Sequence, residues 1–211
     1  MHSTSGGIPR LASDAFGSLG MTQILFMLKF ITGNKIKFKE VQAVLAPIKI
    51  ERVDIDLAEI QEVDAYKIIR HKLQEALKHH KGPLIIDDSS LFFSCFNYKL
   101  PGPLIKWFNE YVGMDGLFNL TQKMGDSKAR ATTIIGYAEN PKKILFFEGT
   151  LKGRIAEPRG AYKFGYDPIF LPDGKKQTLS EMKEAGIFFY SPRAKALKKL
   201  KNYLSKVNHS I

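Results

Sequence analysis

The chain has 211 residues, 44% of them hydrophobic and 25% charged, which is enough for one sizeable core and excludes a largely disordered chain. Cys95 is the only cysteine, so an internal disulfide and a cysteine cluster for zinc or iron–sulfur are excluded. The formal net charge of +11 favours anionic partners, which include nucleic acid, nucleotides and phosphorylated metabolites.

The first residues predict neither a targeting signal nor a membrane anchor. Residues 1–20 are rich in Gly and Ser and precede a second methionine, Met21, so we interpret them as a flexible leader or tag. The best apolar run, "ILFMLKFI", carries Lys29 and is far shorter than the ~20 residues that a membrane helix needs. We therefore expect a cytoplasmic protein without membrane contact, folded as a single domain over 21–211.

Strands and helices then alternate along the first half of the chain. Asn34 is placed to cap a helix that Pro47 closes, and Gly82 is placed to stop the next one. The predicted order is strand "ILFMLKFI", turn "TGN", helix "KIKFKEVQAVLAP", strand "IKIERVDI", helix "DAYKIIRHKLQEALKHHKG" and strand "PLIIDD".

The second half begins with two short helices and continues as a β-rich stretch. The helices are "PLIKWFNEYVG" and "MDGLFNLTQKMG"; the strands are "ARATTIIGYAE", "KKILFFEGTLKGRIAE" and "DPIFLP", with a hairpin at "ENPKK". A basic amphipathic helix over about 192–207 ends the chain. Its lysines fit either a solvated helix face or a patch that binds anions.

Two adjacent carboxylates interrupt the apolar run "LIIDDSSLFF". Burying an unpaired carboxylate costs several kcal/mol, so Asp87 and Asp88 need partners or a function. Neighbouring strand residues face opposite sides of a sheet, so the two carboxylates can have different roles. We expect Asp88, at the end of the predicted strand, to face a site.

Other polar groups fit phosphate and metal chemistry less specifically. Lys37 lies in the first turn after "TGN", where free N–H groups and the helix dipole attract anions, although a simple helix cap explains the same residues. Glu40 and Glu59 could join Asp88 around Mg²⁺. From spacing alone, we expect both glutamates to be exposed charges.

The segment "KFGYDPIFLPDGKKQTLSEM" places aromatic rings beside a glycine. The ring of Phe164 or Tyr166 could stack on a base. Packing into the core is the default expectation for both rings.

Taken in order, these segments resemble the inosine triphosphate pyrophosphatase family, the HAM1-like pyrophosphatases of non-standard purine nucleoside triphosphates. The resemblance runs from about residue 30 to about residue 204 and rests on seven motifs in family order: "TGNKIKFKE", "DDSSL", "LPGPLIKWF", "GRIAEPRG", "FGYDPIF", "PDGKKQTLSEM" and "SPR". It implies an elongated α/β fold, with a long mixed sheet flanked by helices and a cleft between two lobes.

The resemblance also implies an activity. The family hydrolyses nucleoside triphosphates between the α and β phosphorus atoms with Mg²⁺, which releases pyrophosphate and a monophosphate. Its role is to remove ITP, dITP and XTP from the nucleotide pool. A homodimer is implied as well, and nucleic acid is not an expected partner.

Site residues follow from the matching positions. Phosphate contacts are implied for Thr32, Gly33, Asn34, Lys37, Lys72 and Lys106, and a further substrate contact for Ser89. Metal ligation is implied for Glu59 and Asp88, and Asp88 would also accept a proton from the attacking water. The base pocket would comprise Phe164, Gly165, Tyr166, Asp167 and Arg193, with Arg193 donating to the six-position oxygen of the base.

The chain departs from the family pattern near the base pocket. Ile187 stands where lysine is expected, Phe188 where asparagine is expected and Pro192 where histidine is expected. Ser90 replaces a common glycine after "DDS". Since the phosphate and metal positions are intact, we expect the family's chemistry with an altered or relaxed base preference.

Three alternatives stay open. The chain could be a Maf-like pyrophosphatase acting on pyrimidine or modified nucleotides, although "FGYDPIF" and "SPR" argue against it. It could instead be a basic module that binds nucleic acid without catalysis. A nucleotide sensor without activity is the third, and the intact set of Lys37, Glu59 and Asp88 argues against that one.

Overall fold

A single mixed sheet organises the chain. The computed structural model describes residues 27–161 and 164–208, so the leader assigned to 1–20 lies outside the described residues. The strands are β1 (Leu28–Ile31), β2 (Ile50–Val53), β3 (Leu84–Phe93), β4 (Pro101–Gly102), β5 (Lys128–Asn140), β6 (Lys143–Ile155) and β7 (Phe170–Pro172). The helices are α1 (Lys35–Leu45), α2 (Ala65–His79), α3 (Ile105–Tyr111), α4 (Gly113–Lys123), α5 (Leu179–Glu184) and α6 (Pro192–Asn208).

The seven strands form a sheet in the order β2-β1-β3-β5-β6-β7, with β4 attached to β3. Strand β1 runs parallel to β2 and β3, whereas β5, β6 and β7 continue the sheet in antiparallel pairs. The predicted α/β fold with a mixed central sheet flanked by helices is confirmed. Its division into two lobes over 21–211 stays a prediction.

The two faces of β3 belong to different layers. Ile85 packs in a core cluster with residues of α1 and α6, whereas Ile86 packs with residues of α2. A third cluster joins α3, α4 and α5 to the far ends of β3, β5 and β6. By strand alternation, Asp87 therefore faces the α1/α6 layer and Asp88 faces the α2 layer.

The prediction that Asp88 ends its strand is wrong. Strand β3 continues to Phe93 because residues 89–93 pair in register with β5, where Ser89 lies opposite Thr133. The hydroxyl groups of Ser89 and Thr133 are 2.9 Å apart, so these polar side chains satisfy each other across the strands. Asp88 thus lies within a continuous ladder, which holds its backbone firmly.

Helix α5 was not predicted, although the sequence carries a start signal for it. Thr178 and Glu181 form a capping box, in which each side chain accepts from the backbone N–H of the other residue. The pattern Thr-x-x-Glu is the usual sign of such a box.

Helix α6 packs directly on β6 at a glycine. A Cβ atom on Gly149 would lie 2.0 Å from the carbonyl oxygen of Pro192 and 2.5 Å from the backbone nitrogen of Ala196. Ser191 begins the helix by accepting from the N–H of Ala194 at 3.0 Å, and Pro192 suits the first helical position. This close packing fixes the position of Arg193.

The lysines of α6 fit the solvated-face interpretation. Lys198 and Lys199 are exposed, whereas Leu197 and Leu200 on the opposite stripe are fully buried. Within residues 27–161 and 164–208, no helix is long and apolar enough to cross a membrane.

Candidate functional site

The loop between β1 and α1 presents a lysine to the sheet. The Asn34 side chain accepts hydrogen bonds from the N–H groups of Ile36 and Lys37 at 2.9 and 3.0 Å, which confirms the predicted helix cap. The Thr32 hydroxyl oxygen accepts from the N–H of Asn34 at 3.1 Å. From this first turn, the Lys37 ammonium reaches Asp87 at 3.1 Å.

Asp87 is a buried carboxylate with two cationic partners. Lys37 lies at one oxygen, and the Nε of Arg193 donates to the other at 2.8 Å. Burial opposes its ionisation, but the charges of Lys37 and Arg193 outweigh burial and lower the pKa of Asp87 to about 2. Asp87 is therefore satisfied within the fold, and it joins the first turn of α1 to helix α6.

Glu40 belongs to the same charged centre, so the prediction that it is exposed is wrong. It is only 8% exposed because it falls in the buried stripe of α1 beside Val41 and Val44. The guanidinium of Arg193 donates to one of its oxygens, and the Lys183 ammonium lies 2.7 Å from the other. Burial opposes ionisation, yet these two cations lower the pKa of Glu40.

Lys183 connects the centre to the aromatic segment. Its ammonium lies 2.6 Å from Asp167 and 5.3 Å from the centroid of the Phe164 ring. Burial raises the pKa of Asp167 to about 6, although the Lys183 charge opposes the shift. Since Glu40 shares the Lys183 ammonium and has Arg193 as well, Asp167 is the less compensated carboxylate of the two.

Asp88 lies on the other face, toward α2. Lys72 and Glu59 form an ion pair at 2.6 Å on this side, and the predicted exposure of Glu59 is confirmed by a side chain that is 52% exposed. Burial raises the pKa of Asp88 to about 6; the positive charges of Lys37 and Lys72 act against the shift, and the negative charges of Asp87 and Glu59 add to it.

The aromatic segment is packed more deeply than an open stacking surface. Tyr166 is 7% exposed and meets Phe170 edge to face, with ring centroids 6.2 Å apart, which is the default packing expected for it. Phe164 is half-buried, with the guanidinium of Arg193 5.7 Å from its ring centroid. Gly165 is exposed at the turn.

Ser89 and Arg193 also join the centre. One Arg193 nitrogen donates to the Ser89 hydroxyl at 3.3 Å, and the guanidinium is nearly fully buried by its carboxylate partners. The structure thus brings most of the predicted residues together. The exception is Lys106: its ammonium lies over the neighbouring Trp107 ring on exposed α3, and no contact among the described residues joins it to the centre.

The sequence analysis predicted an exposed Glu40 rather than a buried partner of Arg193 and Lys183. It did not identify Lys183 as a site residue. A signal was available for both residues. Glu40 falls in line with the apolar stripe of its helix, and Lys183 lies one turn after buried Leu179 in the short helix that the capping box starts. The departures from the family pattern lie nearby: Ile187 and Phe188 are each 43% exposed, and Pro192 begins α6.

The fold and the centre define a class of protein: an α/β protein with a lysine in the first turn of the helix after β1, beside two adjacent carboxylates of β3 at the point where its parallel neighbour β1 ends. In open α/β sheets the carboxyl ends of parallel strands are where ligands bind. The chain belongs to the Ham1 family, whose model matches residues 28–203.

Individual relatives agree with the family assignment. Inosine triphosphate pyrophosphatase 2 of Trypanosoma cruzi is 42% identical over 174 residues, which cover 81% of this chain and 88% of the relative. Inosine triphosphate pyrophosphatase of Candida albicans is 36% identical over 198 residues, covering 84% and 97%.

Solved structures agree as well. A HAM1 protein from Coxiella burnetii matches with a TM-score of 0.68 at 25% identity, covering 86% of this chain and 99% of the other. A nucleoside-triphosphatase named dITP/XTP pyrophosphatase from Mycobacterium abscessus matches with a TM-score of 0.61 at 25% identity, covering 84% and 98%.

Proposed function

We propose that this protein is a Mg²⁺-dependent pyrophosphohydrolase that converts ITP, dITP and XTP to the monophosphate and pyrophosphate, and so clears them from the nucleotide pool. The observation that carries the proposal is the centre around β3, where Asp88 lies between the charges of Lys37 and Lys72. The names of relatives that are 36% to 42% identical support the substrate class. A cytoplasmic homodimer is part of the same proposal.

Magnesium fits the residues on the α2 side of β3. Among the described residues, no group of three or more His, Cys, Asp or Glu side chains could hold a metal by itself. Glu59 and Asp88 nevertheless offer hard oxygen ligands, and Mg²⁺ is commonly held by one or two carboxylates together with substrate phosphates. Bound there with the triphosphate, Mg²⁺ would neutralise phosphate charge and raise the acidity of water.

The chain's own residues would divide the remaining work. Lys37 and Lys72 would hold the phosphate oxygens, with Thr32, Gly33, Asn34 and Ser89 around them. Asp88 would orient a water and accept its proton as the new oxygen–phosphorus bond forms. The bond between the α phosphorus and the bridging oxygen would then break, and its electron pair would leave on that oxygen as part of pyrophosphate.

The base side would set the preference among nucleotides. Phe164, Gly165 and Tyr166 would line the pocket, with Asp167 and Arg193 as polar groups. Since the exposed Ile187 and Phe188 stand where polar residues are expected, we propose a relaxed base preference. A substrate assay that finds full selectivity for ITP over ATP and GTP would contradict this part.

The test is pyrophosphate release with Mg²⁺ from ITP, XTP, dITP, GTP and ATP. We expect release from ITP or XTP by the natural protein. Loss of about 100-fold or more is expected in Asp88→Asn, since a positioned general base typically contributes 10²–10⁴-fold. Asp115→Asn, at an exposed carboxylate in the first turn of α4, is the matched control. No pyrophosphate from any triphosphate would refute the proposed function.

A further inference from the structure

Lys183 is a buried lysine to which the proposed function assigns no role. Its side chain is only 3% exposed, and its ammonium lies between two buried carboxylates, at 2.7 Å from Glu40 and 2.6 Å from Asp167. A lysine is rarely buried to this extent unless it is paired. Since Glu40 already has Arg193, the second cation is not needed to compensate Glu40 alone.

The two carboxylates belong to different parts of the site. Glu40 lies on α1, one turn after Lys37, on the phosphate side. Asp167 lies in the turn that presents Phe164, and this turn is closed by a hydrogen bond from the Asp167 N–H to the Phe164 carbonyl at 3.1 Å. The Lys183 ammonium is therefore a direct bridge between the phosphate side and the base side.

The aromatic ring strengthens this bridge. The Lys183 ammonium lies 5.3 Å from the centroid of the Phe164 ring, within the range of a cation–π contact. The carboxylate and the ring thus hold the turn over 164–167 at two points. Ile187, where the family pattern leads us to expect a lysine, is exposed. Helix α5 instead carries Lys183 four residues earlier, and the Lys183 ammonium lies in the centre.

We propose that Lys183 is a positioning residue for the nucleotide base: it fixes the 164–167 turn relative to Glu40 and Lys37. The inference rests on the proposed function, because the distance between the base side and the phosphate side matters only if one nucleotide spans both. Loss of the bridge weakens nucleotide binding more than it slows the chemical step, since Lys183 does not touch the reacting phosphorus.

The experiment compares the full chain with Lys183→Met, with the double variant Lys183→Met/Asp167→Asn, and with the exposed Lys198→Met as control. Kinetics with ITP give KM and kcat, calorimetry gives the dissociation constant of ITP, and amide hydrogen exchange reports the mobility of the 164–170 segment. The double variant removes both partners, so it avoids leaving an unpaired buried carboxylate and is expected to recover stability.

We expect Lys183→Met to raise the KM for ITP by about tenfold while kcat changes by less than about threefold. Exchange in the 164–170 segment should become faster. The double variant should regain stability, and its KM should be no higher than that of Asp167→Asn measured beside it, since both changes remove the same bridge. Lys198→Met should match the natural protein. Recovery of KM together with stability in the double variant would overturn the inference, because Lys183 would then serve folding alone.

The two proposals fail in different ways. If the natural protein releases no pyrophosphate from any triphosphate, the proposed function fails, and ITP binding and amide exchange still decide the role of Lys183. Faster exchange with weaker ITP binding in a folded variant would support positioning. Unchanged exchange or unchanged ITP binding in folded Lys183→Met would overturn it.

Discussion

Asp87 and Asp88 are adjacent carboxylates whose surroundings give them opposite properties. Asp87 is held between Lys37 and Arg193, which lower its pKa to about 2, whereas burial raises the pKa of Asp88 to about 6. Strand alternation separates the two roles, since each carboxylate faces a different helical layer. Asp87 is thus a structural link, whereas Asp88, to which the Ser90 hydroxyl donates at 3.3 Å, is the carboxylate that we propose for catalysis.

This division predicts that replacing each carboxylate by an amide lowers the free energy of unfolding by a different amount. Asp87→Asn should lower the free energy of unfolding by about 3 kcal/mol, because it leaves the buried Arg193 without one of its charged partners. Asp88→Asn should change stability by less than about 1 kcal/mol, since the amide relieves a poorly compensated charge. Urea unfolding at pH 7 measures both.

Asp115→Asn, at an exposed side chain in the first turn of α4, provides the baseline for these measurements. Equal losses of stability in the Asp87 and Asp88 variants would show that the two carboxylates are not divided in this way.

At the residue scale, local pattern predicted only part of the centre. Lys37 and Asp88 carry local signals, a helix start and a polar break in an apolar run. The pairing of Glu40 with Arg193 joins residues 153 positions apart, and no local pattern specifies that two such distant side chains meet. Their burial follows from how α6 packs on the sheet, which is a tertiary property.

At the scale of elements, the alternation of helices and strands was predictable because hydrophobic periodicity and caps are local. The extension of β3 through Ser89 and Ser90 was not predictable, because it depends on pairing with β5, and α3 and α4 separate these two strands in the sequence. Polar residues in a strand are stabilised by the cross-strand partner, and the sequence of one strand does not contain that partner.

The contact between α6 and β6 gives a prediction at this scale. Gly149→Ala should lower the free energy of unfolding by about 3 kcal/mol, since the new methyl group would clash with the backbone of Pro192 and Ala196. The shift of α6 should also move Arg193 and reduce the proposed activity. Chemical denaturation and pyrophosphate release measure the two effects.

Gly116→Ala is the comparison, because its Cβ would lie 2.9 Å from one side-chain atom, Cγ1 of the exposed Val112, rather than against backbone atoms. A helical alanine is otherwise favoured over glycine. A Gly149→Ala variant as stable as Gly116→Ala would contradict the close packing of α6.

At the scale of the whole molecule, the ion pairs form one continuous chain from the proposed phosphate side to the proposed base side. The members alternate in sign and are Lys37, Asp87, Arg193, Glu40, Lys183 and Asp167. They come from α1, β3, α6, α5 and the turn before β7, so the site depends on the assembly of the whole sheet. The net charge of +11 attracts anions to the molecule in general, and we propose that this chain of contacts determines where a nucleotide lies.

The central claim is that the α–β anhydride bond of a triphosphate breaks at Asp88. The most direct measurement is phosphorus NMR of the products formed from ITP with Mg²⁺. We expect inosine monophosphate and pyrophosphate in equal amounts, and we expect Asp88→Asn to form both at least about 100-fold more slowly. Orthophosphate and inosine diphosphate as products, or undiminished pyrophosphate from Asp88→Asn, would contradict the claim.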